Sequence, residues 1–493
     1  MKNALLKSSL LIFVLTFSAC TSTRHIQDGL PASPRAKLVS EIDSLLNDSA
    51  FAHAFWGVRV MSTKTGEVWY ERNADKMFMP ASNEKVITGA VALNQLGGDF
   101  RYKTTVSANG AVQNGVLKGD LIVASNGDPS LYKRFYTDSR EVFRRWAEQL
   151  KTQGITRITG RIVGDDNAFE DYPYGNGWPF DDFEYDYSAE IGALQLNENY
   201  VDLLITPPKT VGEAYQIQPS TPSNYYTVQN NLNVVPTGSS AVSASRPYGQ
   251  TKITLKGQVV AGGKALEESP TMPNPTLFYA TVLRETLIAA GIQVDGEAAD
   301  VDDLPQYNTQ QATVLIEHQS PPFSQLLKVM MKISQNLYAE TFTRTLGWAQ
   351  NGIGSFENGH NIVENQLLTW GIPKKSYVYA DGSGLSRYNY TNPRILTTIL
   401  ARMRVHQDWE IWKAAFPIAG VDGTIGNRMK GTPAENNARA KTGTIANTRG
   451  LSGYVTTRSG EELVFSILVN GHLLASRDTD RITDGIVSRL AAW

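Results

Sequence analysis

Apolar and polar positions divide the chain into three textures. From Ala36 to Ala52, AKLVSEIDSLLNDSAFA repeats apolar residues at helical spacing. Trp56 to Ser62 and Glu67 to Glu71 alternate around a Lys64-Thr65-Gly66 turn, which predicts a β-hairpin. After Pro80-Ala81-Ser82, KVITGAVALNQLGG sets Val86, Ile87, Ala90, Val91 and Leu93 on one helical side with Gly97-Gly98 as the stop, so a buried helix is expected to begin near Ser82. The long middle stretch is richer in Gly, Asn, Ser and Pro, with short strand-like runs such as GDLIVAS, RITGRIVGD, YVDLLITP and TKITLKGQVV. Helical segments interrupt it at Ser139 to Gln153 and Pro275 to Gly291, and it reads as one or two inserted domains of mixed and β character. Helical periodicity returns in PPFSQLLKVMMKISQNLYAETFTRTLGWA and TNPRILTTILARM. Two alternating runs, GLSGYVTT and ELVFSILVNGH, then precede a helix from Asp478 to Ala492. Strands from both ends with helices between them predict an α+β domain assembled from the two termini, with the middle hung outside it.

Composition narrows the classes. With 493 residues, 41% of them apolar, the chain has material for two to four domains. Its 46 basic against 48 acidic residues give a net charge of −2 and no electrostatic case for nucleic acid. One cysteine excludes an intrachain disulfide. The six histidines, at 25, 53, 318, 360, 406 and 472, form no HExxH, and no CxxC exists, so no metal or other cofactor is expected. Cys20 ends MKNALLKSSLLIFVLTFSAC: a basic start, an apolar run from Leu10 to Phe17, then Ser18-Ala19. That reads as a secretory signal over residues 1–20, too short to span a bilayer. Small residues before the cysteine resemble the lipobox of bacterial lipoproteins, with Phe17 where Leu is preferred, and this makes Cys20 the candidate for lipidation. The alternative is an ordinary signal peptide with Cys20 discarded or left as a free thiol. Residues 21–35, with Pro31 and Pro34, read as a tether, and the protein is expected to work outside the cytoplasm.

A hydrolase without a metal or a usable histidine needs another way to activate a nucleophile. Serine followed three residues later by lysine supplies one, because i and i+3 share a helix side and a desolvated amine can act as base. SxxK, SxN and KTG form the motif set of class A β-lactamases and penicillin-binding proteins. Each occurs twice: Ser82 to Lys85 and Ser130 to Lys133, Ser107 to Asn109 and Ser334 to Asn336, Lys64 to Gly66 and Lys441 to Gly443. Context chooses between copies. Ser82 opens the most apolar helix, which buries Lys85, whereas Lys133 falls in a charged stretch. Ser107 lies in SANGAVQNG, read as a turn between strands. Ser334 and Asn336 interrupt a helical pattern, and presenting both to one cleft requires an irregular joint between two helices, since i and i+2 on a helix diverge by ~200°. Lys64 makes the hairpin turn itself. Lys441 and Thr442, at the start of strands, can meet a carboxylate, and Gly443 would let a substrate backbone lie close.

In order, context and companions the chain resembles the D-alanyl-D-alanine carboxypeptidases/endopeptidases of the class C low-molecular-mass penicillin-binding proteins. PASNEK at 80–85, SQNLYAE at 334–340, DGSGLSR at 381–387 and AKTGT at 440–444 carry the resemblance, with GDPSL at 127–131, VGDDNAF at 163–169 and GWPFDD at 177–182. Gln335 departs from the Asp commoner there. The 248 residues between Lys85 and Ser334 exceed a plain β-lactamase core. The resemblance implies a β-lactamase/transpeptidase-like domain, an antiparallel sheet flanked by helices, at 36–97 and 312–493. It also implies an inserted domain at 98–199 and 265–311, with a further domain nested at 200–264.

The same resemblance implies that Ser82 attacks the bond between terminal D-alanines of peptidoglycan stem peptides to form an acyl-enzyme, and that penicillin and other β-lactams trap it. Lys85 is then the acylation base, Ser334 the proton relay, and Asn336 the holder of Lys85 and of the substrate amide. Lys441 and Thr442 bind the terminal carboxylate beside Gly443, and the N–H groups of Ser82 and Thr444 form the oxyanion hole. Arg387 could bind a carboxylate and Asp181 beside Trp178 an ammonium group, which suggests a diaminopimelate subsite helped by Tyr185 or Tyr187; a structural Arg to Asp pair is the alternative. The expected setting is the periplasm or cell envelope, with a lipid anchor as the membrane link. The rival readings are a β-lactamase or esterase with the same nucleophile, and a catalytically silent envelope-binding protein.

Overall fold

The computed structural model describes residues 34–309 and 311–493. The signal sequence, Cys20 and the tether up to residue 33 lie outside the described residues. Strands from both chain ends build one five-stranded antiparallel sheet in the order Arg439–Ile445, Thr448–Thr456, Glu462–Asn470, Phe55–Ser62, Val68–Arg72. The central strand is apolar on both faces for a reason. Leu463, Phe465, Ile467 and Val469 pack with the terminal helices Pro34–Leu46 and Ser476–Ala492, while Val464 and Leu468 join the core built on helix Glu84–Leu96. Side chains alternate between sheet faces, so only a strand covered on both sides buries consecutive apolar residues. Helix Glu84–Leu96 is enclosed by its neighbours from Glu84 through Leu93, which holds its N-terminal turn in one place.

The middle of the chain forms a seven-stranded mixed sheet and two three-stranded sheets. The expected helices appear as Glu141–Thr152 and Pro275–Ala289, packed on the larger sheet. Two expectations are corrected here. Ser107 is not in a turn: strand Lys103–Gln113 runs straight through it, and the reversal comes at Asn114-Gly115, both at positive φ (51° and 79°), before strand Val116–Ser125. Both residues tolerate the left-handed region that such a turn needs, while the other Asn-Gly of the stretch, Asn109-Gly110, stays within the strand. Strand Thr313–Gln319 pairs with Lys103–Gln113 and so extends the middle sheet, not the terminal one to which a boundary at 312 had assigned it. An edge strand is recruited by a partner distant in sequence, which local pattern does not encode. Among the described residues no helix is long and apolar enough to cross a membrane.

Candidate active site

The chain enters the central helix through a 3-10 turn, Ala81–Asn83, with Ala81 at φ 49°. That conformation is uncommon for a residue with a Cβ and sets Ser82 at the helix mouth, where it lines a cavity of ≈ 760 Å³. Lys85, completely buried, points its amine at Ser82 Oγ (2.9 Å), Asn336 Oδ1 (2.6 Å) and the Ser383 carbonyl oxygen (2.7 Å). Burial pushes the Lys85 ammonium down to about 7, against the pull of nearby Asp381, Glu340 and Glu84. A neutral amine has two protons and one lone pair. Two of its three partners, the Asn336 and Ser383 oxygens, can only accept, so they take the protons and leave the lone pair for the Ser82 hydroxyl.

The irregular joint expected around Ser334 is present. Helix Phe323–Lys332 ends, Ser334 adopts φ 66°, Gln335 is extended, and Asn336 opens helix Asn336–Asn351. Two non-helical residues between the helices let Ser334 and Asn336 line the same cavity. Gln335 caps the second helix by accepting from Leu337 N (3.1 Å), and its Nε2 donates to the buried Glu198 (2.6 Å), which also binds Arg134. The departure from Asp therefore has a partner: an amide can donate to Glu198 where a carboxylate would repel it. Gln335→Glu, which keeps the shape, should cost about 1–3 kcal/mol in denaturant unfolding. An unchanged midpoint would remove this tie from the structure.

Across the cavity, edge strand Arg439–Ile445 carries Lys441, fully buried, with its amine on Ser334 Oγ (2.7 Å) and the Thr442 carbonyl oxygen (2.8 Å). Burial, and then the charge of Lys85, hold the Lys441 ammonium well below the usual lysine range. Thr442 Oγ1 donates to Thr424 Oγ1 (2.8 Å), a cavity residue without a sequence signal of its own. Thr442, Gly443 and Thr444 all line the cavity. Gly443 also meets a packing requirement. A Cβ there would lie 2.6 Å from both Asn83 Nδ2 and the Pro80 carbonyl oxygen, so the glycine lets the strand close on the Ala81–Asn83 turn.

The segment 381–387 completes the site. Buried Asp381 accepts from Gly384 N (2.7 Å), Ser386 N (2.6 Å), Asn389 Nδ2 (2.6 Å) and the Trp178 indole (2.8 Å), which fixes the loop whose Ser383 oxygen holds Lys85. Gly384, at φ 84°, sits against Ala81, where a Cβ would come within 1.9 Å of the carbonyl oxygen. Arg387 borders the cavity and donates to the Ala446 carbonyl oxygen (3.1 Å). Two expectations are corrected. Trp178 is buried with its indole committed to Asp381, and Asp181 is exposed and does not line the cavity. The carboxylate that does is its neighbour Asp182, which accepts from the Tyr187 hydroxyl (2.9 Å). Tyr187 also supplies the carbonyl oxygen that receives Asn336 Nδ2 (2.7 Å), and Tyr185 stacks on its ring. A backbone contact of this kind leaves no trace in residue type. The alternative motif copies lie elsewhere: Ser130 is fully buried, Lys133 pairs with Asp202 and Glu267 (3.1 Å each), and Lys64 makes a hairpin turn.

A serine whose hydroxyl meets a desolvated lysine, faced by a second lysine–serine pair across a cleft edged by an antiparallel strand, has the constitution of a serine–lysine acyl hydrolase. The comparisons with known proteins carry this to a family. Residues 38–493 match the D-Ala-D-Ala carboxypeptidase 3 (S13) family, and the chain belongs to it. It is 32% identical over 469 residues to a D-alanyl-D-alanine carboxypeptidase of Actinomadura sp. (strain R39), covering 93% of this chain and 85% of the relative. Its fold is similar to the crystal structure of penicillin binding protein 4 (dacB) from Haemophilus influenzae, with a TM-score of 0.78, 27% identity, and coverage of 92% of this chain and 99% of the other. The same Haemophilus influenzae protein complexed with a β-lactam gives a TM-score of 0.72 at 26% identity, with the same coverage.

Proposed function

We propose that the protein is a serine-type D-alanyl-D-alanine carboxypeptidase/endopeptidase that cleaves peptidoglycan stem peptides through an acyl-enzyme on Ser82 and is inhibited by penicillin. The observation that carries this reading is the Lys85 amine held by the Asn336 and Ser383 oxygens with Ser82 Oγ as its third partner. In the acylation step the Ser82 proton passes to neutral Lys85 as Oγ bonds the scissile carbonyl carbon. The oxyanion forms at the N–H groups of Ser82 and Thr444, each worth on the order of 3 kcal/mol. Collapse breaks the C–N bond, and the leaving amine takes a proton through Ser334, which shares a hydrogen bond with Lys441. A substrate carboxylate at Lys441 and Thr442 restores the charge that burial disfavours on Lys441, coupling binding to protonation. Water then releases the acyl group. Asn336 Nδ2 keeps one proton beyond the one given to Tyr187, available for the substrate amide.

Arg387 and Asp182 at the cavity wall support a diaminopimelate subsite, with Tyr187 beside them. Arg387→Ala should lower kcat/KM for diaminopimelate peptides by roughly 10- to 100-fold while leaving acylation by a simple penicillin near wild type. Equal losses would sink the subsite. A division into a terminal catalytic unit and two inserted units, a signal sequence, a lipid anchor at Cys20 and work in the bacterial envelope belong to the same proposal. The test of the whole is incubation of the protein with muropeptides and labelled penicillin, with products and labelled residue identified by mass spectrometry. D-alanine release and a label on Ser82 are expected; no D-alanyl cleavage, or a label elsewhere, overturns it.

A further inference from the structure

Beside the catalytic cavity lies a cluster of aromatic rings that the chemistry above does not use. Phe180 is 73% exposed and Tyr248 59% exposed, and their ring centroids are 6.1 Å apart. Phe183 joins both, at 5.6 Å and 5.9 Å, and stacks on Tyr174 at 4.3 Å with an interplanar angle of 17°. Exposed aromatic faces gathered in one patch are unusual on a soluble surface and mark a binding surface.

The patch is held rigidly. Tyr248 rides on a tight turn closed by the buried Arg246, whose Nη1 donates to the Gln250 carbonyl oxygen (3.1 Å) and whose Nη2 donates to Thr271 Oγ1 (2.9 Å). The Arg246 backbone N–H donates to Glu184 (3.1 Å), which ties that turn to the segment bearing Phe180 and Phe183. Rings fixed before binding lose little entropy when a ligand lies on them.

The segment that bears the patch also forms the cavity wall. Phe180 and Phe183 flank Asp181 and Asp182 along it, and Asp182 and Tyr187 line the catalytic cavity. Phe183 and Tyr187 are four residues apart, so their backbones are separated by at most about 14 Å. The rings and the cavity wall thus belong to one short segment, which makes the patch the neighbouring aromatic surface for a peptide in the cavity that is still joined to its glycan. Pyranose rings present a flat C–H face that stacks on an aromatic face while their hydroxyls and acetamido groups stay hydrated. Exposed Asp181, next to Phe180 in the chain, can accept from hydroxyl donors, and its charge disfavours an anionic lipid surface.

We propose that Phe180, Phe183 and Tyr248 form a carbohydrate platform that stacks the N-acetylhexosamine chain to which the stem peptide is attached. This rests on the peptidoglycan reading of the cleft and adds to it a preference for peptides still joined to their glycan. The test uses the full chain and a Phe180→Ser/Tyr248→Ser double variant, with a stem peptide supplied free and as its disaccharide conjugate. The wild type should favour the conjugate in kcat/KM by about tenfold or more, from stacking on several rings. The double variant should lose that preference while its turnover of free peptide and its acylation by penicillin stay at the wild-type level.

Binding of uncleaved conjugate and of a chitooligosaccharide to Ser82→Ala, read by chemical-shift changes, separates this inference from the catalytic one. Sugar binding lost with the two rings supports the platform even where D-alanyl cleavage fails. No preference in the wild type, equal loss on both substrates, or sugar binding unaffected by the double variant overturns it. So does a wild-type self-association that the double variant abolishes without any sugar preference, which would assign the patch to a second copy of the chain.

Discussion

Ser82→Ala should abolish covalent labelling by penicillin and lower kcat/KM for D-alanyl peptides by at least about 10³-fold, toward the residual catalysis that binding and oxyanion stabilisation alone provide. Among the described residues, only Ser82 has its hydroxyl at the Lys85 amine within the cavity. Ser334 also borders the cavity, but its hydroxyl is engaged by Lys441, and Ser130 is buried outside it. The variant should fold as before, because Lys85 keeps its Asn336 and Ser383 partners and no buried methylene is removed. Intact-mass measurement after exposure to penicillin, with the unfolding midpoint as a control, checks both parts. A stoichiometric adduct on the variant would mean that the nucleophile is another residue.

Lys85→Met should reduce the rate of acylation by about 10²- to 10⁴-fold and remove the acidic limb of its pH profile. The sign follows from the chemistry. As the proposed base, Lys85 would accept the Ser82 proton only when neutral, and burial pushes its pKa down to about 7, so acylation in the wild type should rise with pH through about 7 and fall about tenfold per unit below it. Methionine fills a similar volume, but its thioether sulfur is far too weak a base to take the proton, so the residual rate should lack this limb. Stopped-flow acylation with a chromogenic penicillin between pH 5 and 9 checks it. A variant that keeps the limb near 7 would assign the titration to another group.

These predictions draw unequally on the sequence and the fold. Ser82 and Lys85 were legible because their relation is local: three residues of helix bring hydroxyl and amine together, and the apolar run after them implies burial. The joint at Ser334 was legible for the same reason, since two side chains of a helix cannot face one cleft two residues apart, and the backbone breaks there as required. Lys441 could be chosen over Lys64 because one triplet lies in a strand-forming context and the other at a hairpin turn.

What the sequence left open was orientation within a turn and contact across long separations. Asp182, not Asp181, is the carboxylate that the short turn directs to the cavity, and the two have the same chemistry. Trp178 is held by Asp381, 203 residues away, which takes its indole N–H and keeps the ring out of the cavity lining. Gly443 was required by Pro80 and Asn83, and Thr313–Gln319 was claimed by a strand some two hundred residues before it.

The sequence by itself determined the class of chemistry, the pairing of Ser82 with Lys85, the terminal origin of the core sheet and the presence of a long intervening stretch. Each follows from periodicity or from groups a few residues apart, where helix and turn geometry fix the distances. Only the tertiary structure decided which acid and which tyrosine face the cavity, why the glycines at 384 and 443 admit no side chain, and where the aromatic patch stands beside the cleft. Those are contacts between segments brought together by packing, and the residue types involved are the same whether or not the contact is made.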